Sequence, residues 1–334
     1  MSSASGVHPL AKPRGKRRGL VLGAGGVLGA SWTIGALSAL EDTTGWDART
    51  ADVIIGTSAG AVLAAFLGSN VATQSLLNHQ RGIVAPGDPV IEPLELERDS
   101  GNGLPPMPRF RMGSPALWAR SARHPRQVTP LAAVSSMMPQ GRGSLEPVRR
   151  LVEAVTPAGE WASHPRTWIV AMDYDTGRRI PFGRAGSPPA GLSEAVTASC
   201  AIPGWYAPVT IGGRRYVDGG ACSPTSLDLV VSLGLDEVFV LSPMTSFTFD
   251  RPTRAAARVE RYLRRLVTRR LVREADKVRA AGTDVVMLGP GPEDLHAIGA
   301  NLMDPRRRDA VLETSLRTSA VEIRRQLGAQ AAAG

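Results

Sequence analysis

The segment 53–67 constrains the fold more than any other part of the chain. A β-branched run ends at Gly56, and Gly56-Thr57-Ser58-Ala59-Gly60 then leads into small apolar residues with helical bias. A strand, a tight turn and a helix in this order match the nucleophile elbow Gly-x-Ser-x-Gly, with Ser58 at the turn. Gly56 and Gly60 leave space where strand and helix approach each other. The same pentapeptide also fits an ordinary strand-to-helix turn. Only the flanking residues distinguish a nucleophile elbow from such a turn.

A second glycine-rich turn lies upstream of the elbow. Residues 19–22 predict a short strand, residues 23–29 a glycine loop and residues 30–40 a helix. The loop fits a dinucleotide-binding fingerprint, a plain turn or an oxyanion hole. The fingerprint lacks its third glycine, because Leu28 stands there, and no acidic residue ends the next strand. An oxyanion hole needs bare backbone N–H groups, and a loop placed one strand before a serine elbow favours this third interpretation.

Asp218 is the candidate base for Ser58. Residues 214–218 predict a strand that ends in Asp218-Gly219-Gly220. In an open parallel sheet the functional groups gather at the carboxyl ends of the strands, where Ser58 also lies. Asp-Gly-Gly is also a common turn sequence, so the tripeptide alone does not establish a base.

Four blocks of the chain together resemble the patatin-like phospholipases. They are residues 24–29, the elbow at 56–60, residues 198–209 and Asp218-Gly219-Gly220, in the order of that family. The resemblance implies hydrolysis of lipid acyl esters by a Ser–Asp dyad that uses no histidine, as in phospholipase A, lysophospholipase or esterase activity. It implies Ser58 as the nucleophile, Asp218 as the base, and the amides of Gly25 and Gly26 as the oxyanion donors.

Two other functions remain open. The order Ser58, Asp218, His296 fits an α/β-hydrolase triad, although only one strand is predicted before the elbow strand and that fold places its elbow deeper in the chain. A non-catalytic lipid- or membrane-binding protein on the same scaffold is the second alternative. It is suggested by Leu28, which stands where the family's loop usually carries a basic residue, and by the basic helix within residues 251–279.

Strands and helices alternate through most of the chain, so we predict a three-layer α/β/α domain with a mostly parallel central sheet, like that of patatin. The predicted strands in its second half are 167–172, 178–182, 214–218, 237–241 and 284–288, and the predicted helices are 145–155, 192–199, 226–233 and 306–327. Residues 1–18 predict a basic disordered tail, residues 19–325 one domain and residues 326–334 a flexible tail.

A proline-rich insertion interrupts the domain at about residues 85–145. Ten prolines fall between Ala85 and Gln140, and the apolar residues among them show little periodicity. Such a stretch is typical of a lid over an apolar pocket, or of an insertion that packs on the core or stays mobile. The sequence does not favour one of these roles over the other.

Positive charge is concentrated in one segment. The chain carries a formal charge of +9, and residues 251–279 alone contribute +8. In this segment Val259, Tyr262, Leu263, Leu266 and Val267 have helical spacing and predict an apolar buried face opposite the arginines. Such a helix is either a packed surface helix with a solvated side or a peripheral contact with an anionic membrane. We expect no nucleic acid partner, because no recognised binding module accompanies the charge.

The remaining sequence features bear on compartment and cofactors. Residues 20–40 carry no charge and resemble a signal peptide or membrane span, but five glycines and a strand-then-helix pattern favour a buried segment of the domain. Cys200 and Cys222 are too few for a disulfide scaffold and fit a reducing compartment. We therefore expect a cytoplasmic protein with peripheral membrane contact. The histidines are scattered, and we expect neither a metal nor an organic cofactor.

Overall fold

The computed structural model describes residues 15–83, 85–86, 107–247 and 255–333. The strands are β1 (Arg18–Leu22), β2 (Val53–Thr57), β3 (Arg109–Met112), β4 (Pro139–Gln140), β5 (Thr167–Asp173), β6 (Arg179–Phe182), β7 (Val209–Ile211), β8 (Arg214–Asp218), β9 (Glu237–Leu241) and β10 (Asp284–Leu288). The helices are α1 (Gly26–Thr44), α2 (Ala59–Gly68), α3 (Thr73–Gln80), α4 (Pro115–Arg123), α5 (Pro130–Met137), α6 (Glu146–Glu153), α7 (Leu192–Ser199), α8 (Ala255–Ala280), α9 (Pro292–Ile298) and α10 (Arg308–Ala333).

The central sheet has the strand order β10-β9-β1-β2-β5-β8-β7, and β6 pairs with β5 outside this order. The strands from β10 to β5 are parallel, whereas β8 runs antiparallel to β5, β7 to β8 and β6 to β5. Side chains alternate between the two faces of a strand. Ile54 therefore packs into one core, and Val53 and Ile55 into the other.

The two cores define the layers of the domain. One face of the sheet is covered by helices that include α1, α2, α7 and α10. The other is covered by α8, through Leu271, Ala275 and Val278, and by a short 3₁₀ turn at Leu227–Val230. This arrangement confirms the predicted three-layer fold with a mostly parallel sheet.

The uncharged run 20–40 is part of this core rather than a separate segment. It supplies most of β1 and of α1, and its large side chains, such as Leu22 and Trp32, are buried. In the described ranges no helix has the length and apolarity needed to cross a membrane.

The glycine loop is shorter than the sequence predicts. Helix α1 begins at Gly26 instead of residue 30, because its first turn closes with a hydrogen bond from the Gly29 amide to the Gly25 carbonyl at 3.0 Å. Only residues 23–25 remain outside regular structure. The Leu28 side chain is buried in the core, so this position contributes packing and no charge.

The described part of the insertion contains regular structure that the sequence analysis missed. Strands β3 and β4 pair as an antiparallel ladder, and α4 and α5 each begin with a hydroxyl N-cap followed by proline. Ser114 accepts the Leu117 amide and Thr129 accepts the Ala132 amide. Ser-Pro and Thr-Pro at these positions are recognisable helix starts. Residues 87–106 of the insertion lie outside the described residues.

Both predicted tails differ from the structure where residues are described. Residues 1–14 lie outside the described ranges, but Arg18 begins β1 and the Arg17 guanidinium donates to the carbonyls of Leu233 and Gly234 at 2.9 Å. At the other end, α10 continues to Ala333 through the predicted flexible tail. The reason is composition, since this stretch is rich in alanine, which has the highest helix propensity.

Helix α8 has the opposite orientation from the predicted one. Its buried face runs through Leu271, Ala275 and Val278, and this face continues toward the N-terminus through Thr268 to Arg264, which is 3% exposed. Three of the predicted buried residues therefore point outward, with these exposed fractions: Tyr262 60%, Leu263 54% and Leu266 42%. Val267 is half-buried, and the Val259 side chain lies outside what the structure describes. The prediction was wrong because the packing of the C-terminal half of the helix fixes its rotation.

Candidate active site

Ser58 lies at a sharp turn between β2 and α2. Its backbone has φ 55° and ψ −122°, a conformation that costs a non-glycine residue energy and that occurs mainly at functional sites. The turn is held by close main-chain packing. A Cβ atom on Gly56 would lie 2.3 Å from the Gly60 carbonyl oxygen, and one on Gly60 would lie 2.1 Å from the Leu22 carbonyl oxygen. Neither position can therefore carry a side chain without moving the backbone.

Asp218 reaches Ser58 by a route that the sequence analysis did not foresee. We expected it at the carboxyl end of a parallel strand, but β8 runs antiparallel to β5. Asp218 pairs with Ala171, and Thr57 pairs with Val170 on the other side of β5. The end of β8 is thus level with the elbow, and the Ser58 side chain lies close enough to the Asp218 carboxyl to lower its pKa.

The environment of Asp218 makes its carboxyl group more basic than usual. Burial raises the pKa to about 6, although the hydrogen bonds from the Ser58 hydroxyl and the Gly220 amide act in the opposite direction. The Gly220 amide donates to Asp218 Oδ1 at 2.7 Å and fixes the carboxyl group in place. A Cβ atom on Gly219 would lie 2.4 Å from the Val170 carbonyl oxygen, so both glycines of the motif support the position of Asp218.

Ser199 is a buried residue within the block 198–209, and the sequence alone predicted no role for it. Its hydroxyl accepts the Ser58 amide at 2.9 Å and donates to the Val170 carbonyl at 2.6 Å. Two residues further on, the Ala201 carbonyl accepts the Asp218 amide at 2.9 Å. The segment that follows α7 therefore connects the main chains of Ser58 and Asp218. The motif at 198–209 pointed to this segment, but only the coordinates show what Ser199 binds.

The glycine loop places bare amides beside Ser58. Gly25 is the N-cap of α1, and Gly26 has φ 61°. The amides of Gly23, Ala24, Leu28 and Gly29 donate to main-chain carbonyls. Within the described residues, the amides of Gly25 and Gly26 donate to no other protein group. Helices α1 and α2 both begin here, so the positive ends of two helix dipoles face the site.

An apolar pocket of about 150 Å³ opens beside Ser58 and Gly26. This volume is comparable to that of an engineered cavity that binds benzene. The apolar part of the wall includes Val62, Leu63, Phe66, Leu76, Val148 and Leu151. His79, Gln80 and Arg308 are polar residues in the wall. Burial lowers the pKa of His79, and the charge of Arg308 lowers it further.

Of the remaining residues, His296 is not brought to the site, whereas Cys200 lines the pocket beside Ser58. His296 is exposed on α9, a short helix where we expected a loop. In the described part of the chain Asp218 has no histidine partner, so the residues of the proposed triad do not meet. Cys200 and Cys222 are buried and free, and burial raises the pKa of both thiols. Among the described residues no His, Cys, Asp or Glu cluster could hold a metal ion.

Comparison with known proteins gives a family, and the chain is also distantly similar to several solved structures, of which two follow. A family model described as patatin-like phospholipase matches residues 20–231. The chain is similar to VipD from Legionella pneumophila, with 15% identity over 90% of this chain and 67% of that chain, and a TM-score of 0.39. It is similar to the type III effector protein ExoU, with 16% identity over 94% of this chain and 54% of that chain, and a TM-score of 0.38. At these scores the two structures support no further conclusion.

Proposed function

Because this chain belongs to the patatin-like phospholipase family, and is therefore an enzyme that hydrolyses lipid esters, we propose that Ser58 and Asp218 form its catalytic dyad. The observation that carries the proposal is the approach of two buried groups, the Ser58 hydroxyl and the Asp218 carboxyl, from strands on either side of β5. The strained turn at Ser58, the raised pKa of Asp218 and the converging helix N-termini support the same assignment.

The proposed reaction proceeds through an acyl enzyme. The Ser58 oxygen attacks the ester carbonyl carbon while its proton passes to the Asp218 carboxylate. The amides of Gly25 and Gly26 stabilise the resulting oxyanion, and one such donor is typically worth about 2.7–4 kcal/mol. Asp218 returns the proton to the departing alcohol. A water molecule then gives a proton to Asp218 and attacks the acyl carbon. Return of that proton to the Ser58 oxygen releases the fatty acid.

The pocket supports a lipid ester as the substrate. Its apolar wall fits the first carbons of an acyl chain, and its volume of about 150 Å³ suits a chain segment of roughly six carbons, the size of benzene. Arg308 supplies a positive charge in the same wall and supports contact with a phosphate-bearing substrate. We also propose peripheral contact with anionic lipid through the basic helix α8.

The two alternative functions receive less support. A Ser58–Asp218–His296 triad requires a histidine near the carboxyl group, whereas His296 is exposed. A non-catalytic lipid-binding protein would have no need for a serine in a strained turn beside a buried carboxyl group. One reason for this alternative was that Leu28 stands where the family's loop usually carries a basic residue. The burial of Leu28 in the core accounts for an apolar residue at this position.

Three variants test the assignment with a soluble short-chain ester and a fluorophosphonate probe. Ser58→Ala should lose both turnover and probe labelling. Asp218→Asn should lower kcat by about 10²–10⁴-fold, the usual contribution of a general base, and His296→Ala should behave as the wild type. Each variant must keep its thermal unfolding transition. An inactive but folded His296→Ala would favour the triad, and unlabelled, folded wild type would favour the binding protein.

A further inference from the structure

The outward face of α8 combines apolar and basic side chains. Tyr262, Leu266, Arg269 and Arg273 lie in one line along the helix, because their spacing of four, three and four residues follows the helical repeat. Leu263 lies beside this line. The three apolar side chains are 42–60% exposed, and both arginines are exposed. We call these five residues the α8 outer face.

The acidic residues of α8 do not neutralise this face. Glu260 pairs with Arg261 and Arg264, Glu274 pairs with Arg270, and Asp276 pairs with Arg279. In the part of the chain that the structure describes, Arg269 and Arg273 form no ion pair with an acidic side chain. Together with Arg265 they border a shallow groove of about 390 Å³, which gives an anionic group several guanidinium donors at once.

We propose that the α8 outer face docks on an anionic lipid bilayer. Tyr262, Leu263 and Leu266 enter the interface between headgroups and acyl chains, and Arg269 and Arg273 contact lipid phosphates. An exposed helix with apolar residues beside basic ones has the composition of an interfacial helix. A second copy of this chain is a poorer occupant of a two-fold interface, because the arginines of both copies would face each other.

The orientation of α8 brings a docked bilayer to the edge of the sheet that carries Ser58. The buried Arg264 guanidinium donates to the Pro243 carbonyl at 2.5 Å and the Thr245 carbonyl at 3.4 Å. These carbonyls follow the carboxyl end of β9. The carboxyl ends of the parallel strands β1 and β2 lead to the glycine loop and to Ser58 at the same edge. The choice of lipid as the partner rests on the proposed function.

The test is vesicle binding by charge-matched variants. Arg269→Gln/Arg273→Gln removes two charges from the α8 outer face. Lys16→Gln/Arg166→Gln removes two from exposed positions before β1 and β5, at the opposite edge of the sheet. Sedimentation with phosphatidylcholine vesicles containing phosphatidylglycerol gives the partition coefficients. The first variant should bind about 30-fold more weakly, the typical contribution of two basic residues at such a surface. The control should stay within about twofold of wild type.

A further variant tests the apolar contribution. Leu263→Ser/Leu266→Ser should also lose vesicle binding while its turnover of a soluble short-chain ester is unchanged. Equal binding losses in the two charge variants, or no loss in the first, would overturn the proposal. The proposal would also be overturned if the first variant still bound vesicles but no longer bound DNA or no longer formed a dimer.

The failure of this proposal can be distinguished from failure of the proposed function. Ser58→Ala should bind vesicles as the wild type does, because docking needs no catalysis. A wild-type protein that binds vesicles but turns over no ester would contradict the function alone. One that hydrolyses the soluble ester but ignores anionic vesicles would contradict the docking surface alone.

Discussion

Burial of the Asp218 carboxyl raises its pKa to about 6, whereas a free aspartate titrates near about 3.9. The proposed base must be deprotonated to accept the Ser58 proton. We therefore expect kcat/KM for a soluble ester to rise with pH through about 6 and then to level off. A profile that is already flat from about pH 5 would mean that Asp218 titrates as an ordinary carboxyl group or is not the base.

The same shift predicts that Asp218 lowers the stability of the folded protein near neutral pH. Because the folded-state pKa is higher than the unfolded one, the folded state binds the proton more tightly, and stability falls as pH rises from about 4 to about 6. Asp218→Asn should therefore unfold with a free energy about 3 kcal/mol larger at pH 8, from a shift of roughly two units. At pH 3.5 the difference should vanish. Denaturant unfolding at both pH values measures it.

Individual residues of the site differ in how well the sequence predicts them. Ser58 was predictable because its turn needs glycines at fixed positions on both sides. Gly25 and Gly26 were predictable as bare amides. Ser199 was not, because its role depends on two main-chain groups, the Ser58 amide and the Val170 carbonyl, that are distant in sequence. A local sequence pattern predicts the backbone conformation at that point in the chain. It does not predict hydrogen bonds between residues that are distant in sequence.

At the scale of elements, α8 and the glycine loop are joined through Pro243. A Cβ atom on Gly25 would lie 2.5 Å from the Pro243 ring, and Arg264 holds the Pro243 carbonyl. Arg264→Met should therefore let the segment 243–245 move and lower kcat for a soluble ester by about tenfold, with little change in KM. The estimate corresponds to about 1.4 kcal/mol in the transition state.

Arg269→Gln, on the same helix but facing outward, is the control for this prediction and should leave the soluble-ester kcat unchanged. An Arg264→Met variant that changes only KM, or only the unfolding temperature, would show that this residue supports the fold and not the loop.

Elements with a strong local pattern had the predicted bounds. Strands 214–218, 237–241 and 284–288 and helix 192–199 match the structure. The direction of β8 and the rotation of α8 were not predictable, since both follow from packing against distant parts of the chain. The insertion helices α4 and α5 were predictable in principle, because Ser114-Pro115 and Thr129-Pro130 mark their starts.

At the scale of the whole molecule, α8 and the insertion helices α4 and α5 cover different parts of one face of the sheet, because Val170 packs in the core under α8 and Met172, on the same side of β5, packs with α4 and α5. Helix α8 lies over β9 and β10. At the far side, α4 and α5 pack on the end of β5 through Leu117 and Ala132. Their outer sides carry exposed apolar residues, including Leu131, Val134 and Met137. The order of the strands, and not any single motif, brings α4, α5, α8 and Ser58 to one edge of the sheet.

The contact between Gly60 and Leu22 has a consequence for how the enzyme loses activity on heating. At this point the start of α2 rests directly on the end of β1, main chain against main chain. The proposed nucleophile and oxyanion donors are therefore spaced by direct main-chain packing. We expect heat inactivation of soluble-ester turnover to coincide with the cooperative loss of ellipticity. If turnover were lost several degrees below the unfolding transition, the spacing of the site residues would depend on less stable parts of the chain.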